Sequence, residues 1–447
     1  LRLDASTPVA EMIAAVRVHD QATTTRWLSG SGWSYDSFVA EAPTRQLLDS
    51  VVADRPAVLM SYDDHTAWVN SAALRAAGVD RDTPDPAGGR IGRDVSGDPD
   101  GMLYENAADW IRSFVDLPKG SELTECLDET QRELHAVGIT SIQDPGAELD
   151  DVPLWAQYRD SGRLRLRTRL ALPLPAGISH EEWSGLLDRY RDAVDAASDG
   201  EWLTGGALKG FVDGIVETHT AALIEPYADV DEFGDALFDD AELRARVRLA
   251  DSRGWQVLLH AIGDRAVRMS LDAFAATERR SRVPHRVEHI ELCATSDLPR
   301  FGDLGVIASM QPVHADVYPD RERAWIGLVG AARSGASWPM AAVVRAGGAL
   351  ALGSDWPVAT FDPLRVLGAS VAPHPRRLTV REALQAYTAG SARAAGCAHR
   401  RGAILPGRDA DLVLVEGDLL QDGLVEAGAL ECSRVLLTMV GGSVVFE

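Results

Sequence analysis

Lysine is almost absent from this chain. Of 44 basic residues only Lys119 and Lys209 are lysines, and the remainder are arginines. Positive charge as a whole is in short supply: 67 Asp and Glu outnumber the 44 Lys and Arg, giving a formal net charge of −23. A surface that acidic repels phosphate backbones and anionic headgroups, which argues against nucleic-acid and membrane-surface partners. Long apolar runs are missing too. No stretch of about 18 apolar residues occurs, so no membrane-spanning helix is expected. Cysteine is scarce and widely spaced: Cys126, Cys293, Cys397 and Cys432 form no Cys-x-x-Cys pair. They read as reduced, mostly buried thiols of an intracellular, cytoplasmic protein. No internal repeat or low-complexity tract is present, and the chain opens at Leu1 with neither Met nor signal peptide.

What the chain does contain is the ordinary balance of a folded soluble protein, 46% hydrophobic and 25% charged over 447 residues. At about 100–200 residues per domain this allows several domains or one large barrel with attachments. Thr7 reads as a helix cap with Pro8 at the first turn, leading a helix over residues 9–18. Residues 27–116 read as irregular, rich in Trp, Gly, Pro and Asp, with a turn-rich segment at 84–89. Too many aromatics lie there for a solvated linker, so an inserted lid or subdomain is expected. From residue 122 a regular alternation begins. A helix over 122–137 precedes a strand at 139–144. Further apolar strands follow at 164–174, 208–213, 256–261, 286–290, 306–311 and 349–355, with helical patterns between them. Seven βα-type strands imply a parallel sheet buried on both faces, and favour a TIM-like (β/α)8 barrel over an open doubly wound sheet. Thr379 and Glu382 form a capping box before a helix through Ala394. Short strands at 410–415 and 435–445 make a small separate β structure. The division expected is residues 1–23, a first barrel helix; 24–120, the insertion; 121–395, the barrel; and 396–447, the closing β segment.

In such a barrel, function gathers at the C-terminal strand ends. Standing there are Lys209 and Asp213, His260, His289, Gln311 and His314, and Asp355. One βα unit takes about 31 residues. His260 and His289 stand 29 residues apart, one unit, and His289 and Asp355 66 apart, two units. Two imidazoles and a carboxylate converging on one mouth suit a borderline divalent ion such as Zn²⁺. Any one such His is more often a hydrogen-bonded core residue, and Gly353-Ser354-Asp355 can be a turn. Lys209 is the most telling residue. It lies in an apolar strand, where a lone ammonium is costly, in a chain that otherwise supplies charge with Arg. A primary amine is implied. It can react with CO₂ to give a carbamate ligand, form a Schiff base, or snorkel as a structural residue.

The pattern resembles the amidohydrolase superfamily of metal-dependent hydrolases, and within it the amidohydrolase 3 group of YtcJ-like and N-substituted formamide deformylase-like proteins. The resemblance rests on Gly32-Trp33; Asp64-His65 with Trp68-Val69-Asn70-Ser71; Gly101-Met102-Leu103-Tyr104-Glu105; Lys209-Gly210-Phe211-Val212-Asp213-Gly214; Thr220-Ala221-Ala222-Leu223; His260-Ala261-Ile262-Gly263-Asp264; Arg286-Val287-Glu288-His289; Gln311-Pro312 with His314; Gly353-Ser354-Asp355-Trp356-Pro357; and Asp409-Ala410-Asp411-Leu412. These span nearly the whole chain in the family's order. The resemblance implies Lys209 as a carboxylated ligand of one or two divalent ions, with His260 and His289 as further ligands. Asp355 becomes ligand and general base, and His65 and His314 become substrate contacts. It implies hydrolysis of a C–N bond in a small molecule, and leaves a homo-oligomer open. The family's His-x-His on strand one does not occur here, and the first histidine, His19, stands alone. The chain therefore reads as an N-terminally truncated member lacking strand one. The rival readings are a catalytically inactive barrel without a complete metal site, and a Schiff-base enzyme using Lys209.

Overall fold

The structure is a computed structural model. It describes residues 1–3, 7–38, 42–62, 64–86, 88–116, 118–315, 321–372, 377–420, 430 and 433–447. Ala87, in the turn-rich segment, and Cys432 lie outside them. The chain divides into two compact units, Leu1–Gly120 with Asp355–Ala359, and Ser121–Ser354 with Thr360–Glu447.

The first unit corrects the expectation of irregular chain. It holds a mixed sheet of β1 (Leu28–Trp33), β2 (Ala57–Ser61), β3 (Thr66–Val69), β4 (Gly89–Arg93) and β5 (Pro99–Glu105), in the order β1-β2-β3-β5-β4. Only β1 and β2 run parallel. Side chains alternate across the sheet. Val58, Met60, Ala67 and Val69 pack on one face with Leu103 and Ile111. Leu28, Trp33, Leu59 and Trp68 pack on the other with Met12 and Val16 of the first helix. That helix spans Val9–Ala22, with Pro8 rather than Thr7 at its cap position. The aromatics are core: Trp33, Phe38 and Trp68 meet edge to face at 5.1–6.3 Å. Asn70, fully buried, caps the helix Ser71–Ala77 through the N–H of Ala73, accepts from Ala57 N–H, and donates to the carbonyls of Val52 and Arg55. Gly101, at φ 108°, is required where β5 crosses the backbone of Arg45, since a Cβ there would lie 2.6 Å from its nitrogen.

The second unit is the expected α/β part. Its strands are β6 (Ser141–Asp144), β7 (Arg167–Pro173), β8 (Leu203–Phe211), β9 (Gln256–Ala261), β10 (Arg286–His289), β11 (Ile307–Met310) and β12 (Ala349–Leu352). They form one seven-stranded sheet, all parallel, each strand laid beside the one before it. That order accords with a barrel-type βα succession. Some strands end before their expected C-terminal bounds. β8 stops two residues before Asp213, and β12 three before Asp355. Ala171, Ala207 and Leu258 pack together from β7, β8 and β9. A polar layer sits at the N-terminal ends of these strands. Arg169 donates to Gln256 Oε1 at 2.5 Å, and Gln256 Nε2 to the carbonyls of Pro284 and Ala394. Arg286 donates to Glu288 at 2.6 Å. Burial, and then the neighbouring Arg286, push the Arg169 guanidinium down to about 9.

The capping box at Thr379 and Glu382 is present, but the helix does not run unbroken to Ala394. Residues Ala386–Gly390 widen into a π turn. Gly390 packs on β12, where a Cβ would come 2.2 Å from the Leu350 carbonyl, and Ser391 Oγ donates to Leu352 O and Ala386 O. The closing sheet is antiparallel: β13 (Leu412–Val415), β14 (Val435–Val440) and β15 (Ser443–Phe446). It is fastened to β7 by Arg167, buried, which donates to both oxygens of Asp411 at 2.7 and 3.0 Å. The expected burial of the thiols is corrected. Cys126 is exposed on the helix Ser121–Ala136, and Cys293 and Cys397 are half-buried. Among the described residues no helix is long and apolar enough to cross a membrane.

One buried pair makes a stability prediction. His285 Nδ1 accepts from Val257 N–H, so its Nε2 donates to Asp251 at 3.1 Å. Burial alone would raise the Asp251 carboxyl, but the N–H groups of Ser281 and Arg280 and the His285 contact outweigh it and hold it below the usual range. Its stabilisation is complete above the unfolded value of about 3.9 and lost as pH falls through the depressed folded value. Burial also lowers His285, which adds a loss of the same sign below about pH 6.5. Urea midpoints measured against pH are therefore expected to fall on the acid side, and less steeply in Asp251→Asn, which is less stable at neutral pH. An identical slope in the variant contradicts this.

Candidate metal centre

The sheet brings three imidazoles together at its C-terminal edge. His260 is the fifth residue of β9, His289 ends β10, and His314 sits in the 3₁₀ turn Pro312–Ala315 just past β11. All three are buried. The His260 and His289 rings lie 4.5 Å apart, and the His289 and His314 rings are stacked at 5.9 Å. The ligating atoms of His289 and His314 lie within 4.8 Å of each other. Two nitrogens on one ion at about 2.0–2.1 Å each stand closer than that, so a small side-chain adjustment is all such an ion asks. Buried imidazoles grouped on adjoining strands, ordinarily ligands of Zn or a similar ion, are the donor set such a metal needs.

Lys209 is buried and precedes Phe211 by two residues, so both side chains point to the same side of β8. Phe211 is the register partner of His260, with rings 5.1 Å apart. Lys209 Nζ lies 4.8 Å from the Phe211 ring centroid. The lysine thus belongs to the face that carries His260.

Asp213 has a different task. Its Oδ2 accepts from the N–H groups of Ala222 and Gly263, both at 2.8 Å, and its Oδ1 from Ile262 N–H at 2.9 Å. It clamps the loops that follow β8 and β9, with His260 Nε2 4.0 Å from Oδ1. Gly263 is needed there because a Cβ would stand 2.0 Å from the Ala222 carbonyl. The segments around Ala222 and Gly263 are therefore two halves of one contact.

The backbone at His289 is unusual. His289 and Ile290 have φ of 71° and 55°, and a β-branched residue in that region is strained. The Ile290 N–H donates to Ala261 O at 3.1 Å and Glu288 O at 3.0 Å, which holds the turn. The next residue, Glu291, is buried, and its Oε1 lies 3.8 Å from His314 Nδ1. Sequence reading did not single out Glu291; its only signal is proximity to His289.

His65 and Asp355 belong to the first unit. His65 Nδ1 meets Glu105 Oε2 at 2.6 Å, joining the start of β3 to the end of β5. Glu105, 40 residues away in sequence, was also missed as a partner. Burial raises the Asp64 carboxyl above its usual range; Arg112 and His65 work against this, and Asp109 and Asp355 with it. Asp64, Glu105 and Asp355 all have positive φ, at 63°, 53° and 56°.

Residues 1–446 match the model of the amidohydrolase family. The chain is 32% identical over 441 residues to the protein LONG AFTER FAR-RED 3 of Arabidopsis thaliana, covering 93% of this chain and 73% of the relative. It is 30% identical to the putative amidohydrolase YtcJ of Bacillus subtilis, covering 94% and 80%. It is 28% identical to the N-substituted formamide deformylase of Arthrobacter pascens, covering 94% and 79%. Among solved structures, an uncharacterized metal-dependent hydrolase from Pyrococcus horikoshii superposes with a TM-score of 0.72 at 24% identity, covering 94% of this chain and 82% of its own.

Proposed function

The chain belongs to the amidohydrolase family, and on that premise we propose that it is a metal-dependent hydrolase cleaving an amide-type C–N bond in a small molecule. The observation that carries the reading is the grouping of His260, His289 and His314, buried at the ends of consecutive parallel strands. The seven-stranded sheet serves as the larger part of a TIM-like barrel. Lys209, His260, His289 and Asp355 hold the ion, zinc being the ion their chemistry suits. When bound, such an ion lowers the pKa of water to about 7 and polarises a carbonyl.

The chain's own residues do the rest. Lys209, reacting as the neutral amine, forms a C–N bond to CO₂ with loss of one proton and presents two oxygens sharing one negative charge, where a plain ammonium would repel a cation. Asp355 accepts the proton of the attacking water and delivers it to the leaving nitrogen as the C–O bond forms and the C–N bond breaks. His65, held by Glu105 at 2.6 Å, contacts the substrate. Asp213 keeps the loops after β8 and β9 in place. Neither nucleic acid nor membrane is a partner for an acidic chain of this kind.

The test is product analysis on a panel of N-substituted amides that includes formamides. Zinc-loaded chain is expected to release one amine per carboxylic acid formed, and chelation to stop it. A panel hydrolysed no faster with loaded chain than with buffer contradicts the proposal.

A further inference from the structure

We infer that His314 is a third imidazole of the metal centre, held in place by Glu291, rather than the substrate contact expected from family resemblance. The inference rests on the metal-dependent reading above and deepens it.

Three observations carry it. First, His314 belongs to the histidine group by position: its ring stacks on His289 at 5.9 Å with an interplanar angle of 16°, and the ligating atoms of the two lie within 4.8 Å. Second, its backbone is fixed. The His314 N–H donates to Gln311 O at 3.0 Å, which winds the 3₁₀ turn directly off the end of β11. A ligand on such a turn is set by the sheet. Third, a carboxylate stands behind it. Glu291 Oε1 lies 3.8 Å from His314 Nδ1, both side chains being almost wholly buried.

Glu291 is itself pinned. The Ile290 and Leu292 N–H groups donate to Ala261 and Ile262, and Trp338 N–H donates to the Glu291 carbonyl at 2.8 Å. Burying a carboxylate is costly unless something answers its charge. An imidazole bound to a cation does so, and ligating histidines habitually present their second nitrogen to a carboxylate, which fixes the ring and raises its basicity. With Nδ1 turned toward Glu291, the nitrogen assigned to the ion is Nε2. The strained turn at His289 and Ile290 then acquires a purpose. It places one ligand at the end of β10 and, two residues on, the carboxylate that orients another.

The experiment measures Co²⁺ affinity by chelator competition, together with the visible absorption of the Co²⁺-loaded chain, in the parent, His314→Ala, His314→Gln and Glu291→Gln. Thermal melts of the stripped chains identify any variant that fails to fold. The near-isosteric Gln substitutions keep the test open if His314→Ala does. Expected are an affinity loss of about 10–100-fold in Glu291→Gln, at least as large a loss in both His314 variants, and an altered Co²⁺ spectrum. If folded variants bind Co²⁺ like the parent with the same spectrum while KM rises, His314 is a substrate contact. The inference then falls and the metal-dependent reading stands. A parent that binds no Co²⁺ overturns both.

Discussion

Asp355→Asn is expected to abolish turnover while the chain still takes up metal. Asn keeps the volume of the side chain and an oxygen that can ligate, but it cannot accept a proton and pass it on. A proton shuttle of this kind is worth roughly 10²–10⁴-fold in rate, so kcat should fall by at least the lower figure. Asp355 lies three positions past the end of β12, at φ 56°, and its charge is felt at Asp64 beside His65. Among the described residues eight non-glycine positions have positive φ, and Asp64, Glu105, His289, Ile290 and Asp355 are five of them. Such conformations stay populated only where the surrounding structure holds them. Steady-state kinetics with metal content measured on the same sample decides the matter. Activity within a few-fold of the parent removes Asp355 from the proton path.

The parallel sheet was readable in the sequence because its strands are buried on both faces. Runs such as Val257-Leu258-Leu259 and Ile307-Ala308 announce themselves, and β9 has the bounds its apolar pattern predicts. The expected strands overshoot at the C-terminal ends of β8, β10 and β12, running on into the turns that follow them. The spacing of His260 and His289 was likewise informative: a βα unit has a nearly fixed length, and the two rings do meet at 4.5 Å.

The first unit was unreadable for equally physical reasons. Its β1 is Leu-Ser-Gly-Ser-Gly-Trp and its β4 Gly-Arg-Ile-Gly-Arg, strands with little β propensity and no clean alternation. They are held by tertiary contacts instead: the aromatic cluster around Trp33 and Trp68, the four hydrogen bonds of the Asn70 side chain, and the close approach that Gly101 permits. Partnerships across long sequence distance were invisible for the same reason. Nothing local links His65 to Glu105, or marks Glu291 as the carboxylate beside His314, although both residues were in plain view. Asp213 stands near the end of β8. Its position was legible in the sequence, but the three backbone N–H groups its oxygens accept from were not.

The central claim is that an amine and a group of imidazoles on adjoining parallel strands hold a divalent ion. Zinc titrated into the chelator-stripped chain, followed by calorimetry and by metal content after gel filtration, tests it most directly. Lys209→Arg is the informative companion, because Arg preserves the positive charge and much of the buried stem but cannot form a carbamate. Even partners that only orient a ligand cost about 10–100-fold in affinity when removed, and a ligand costs at least as much. The parent is expected to retain one or two equivalents of zinc, and Lys209→Arg to bind at least about 100-fold more weakly. A parent that retains no zinc, or a Lys209→Arg chain that retains it as tightly as the parent, contradicts the account.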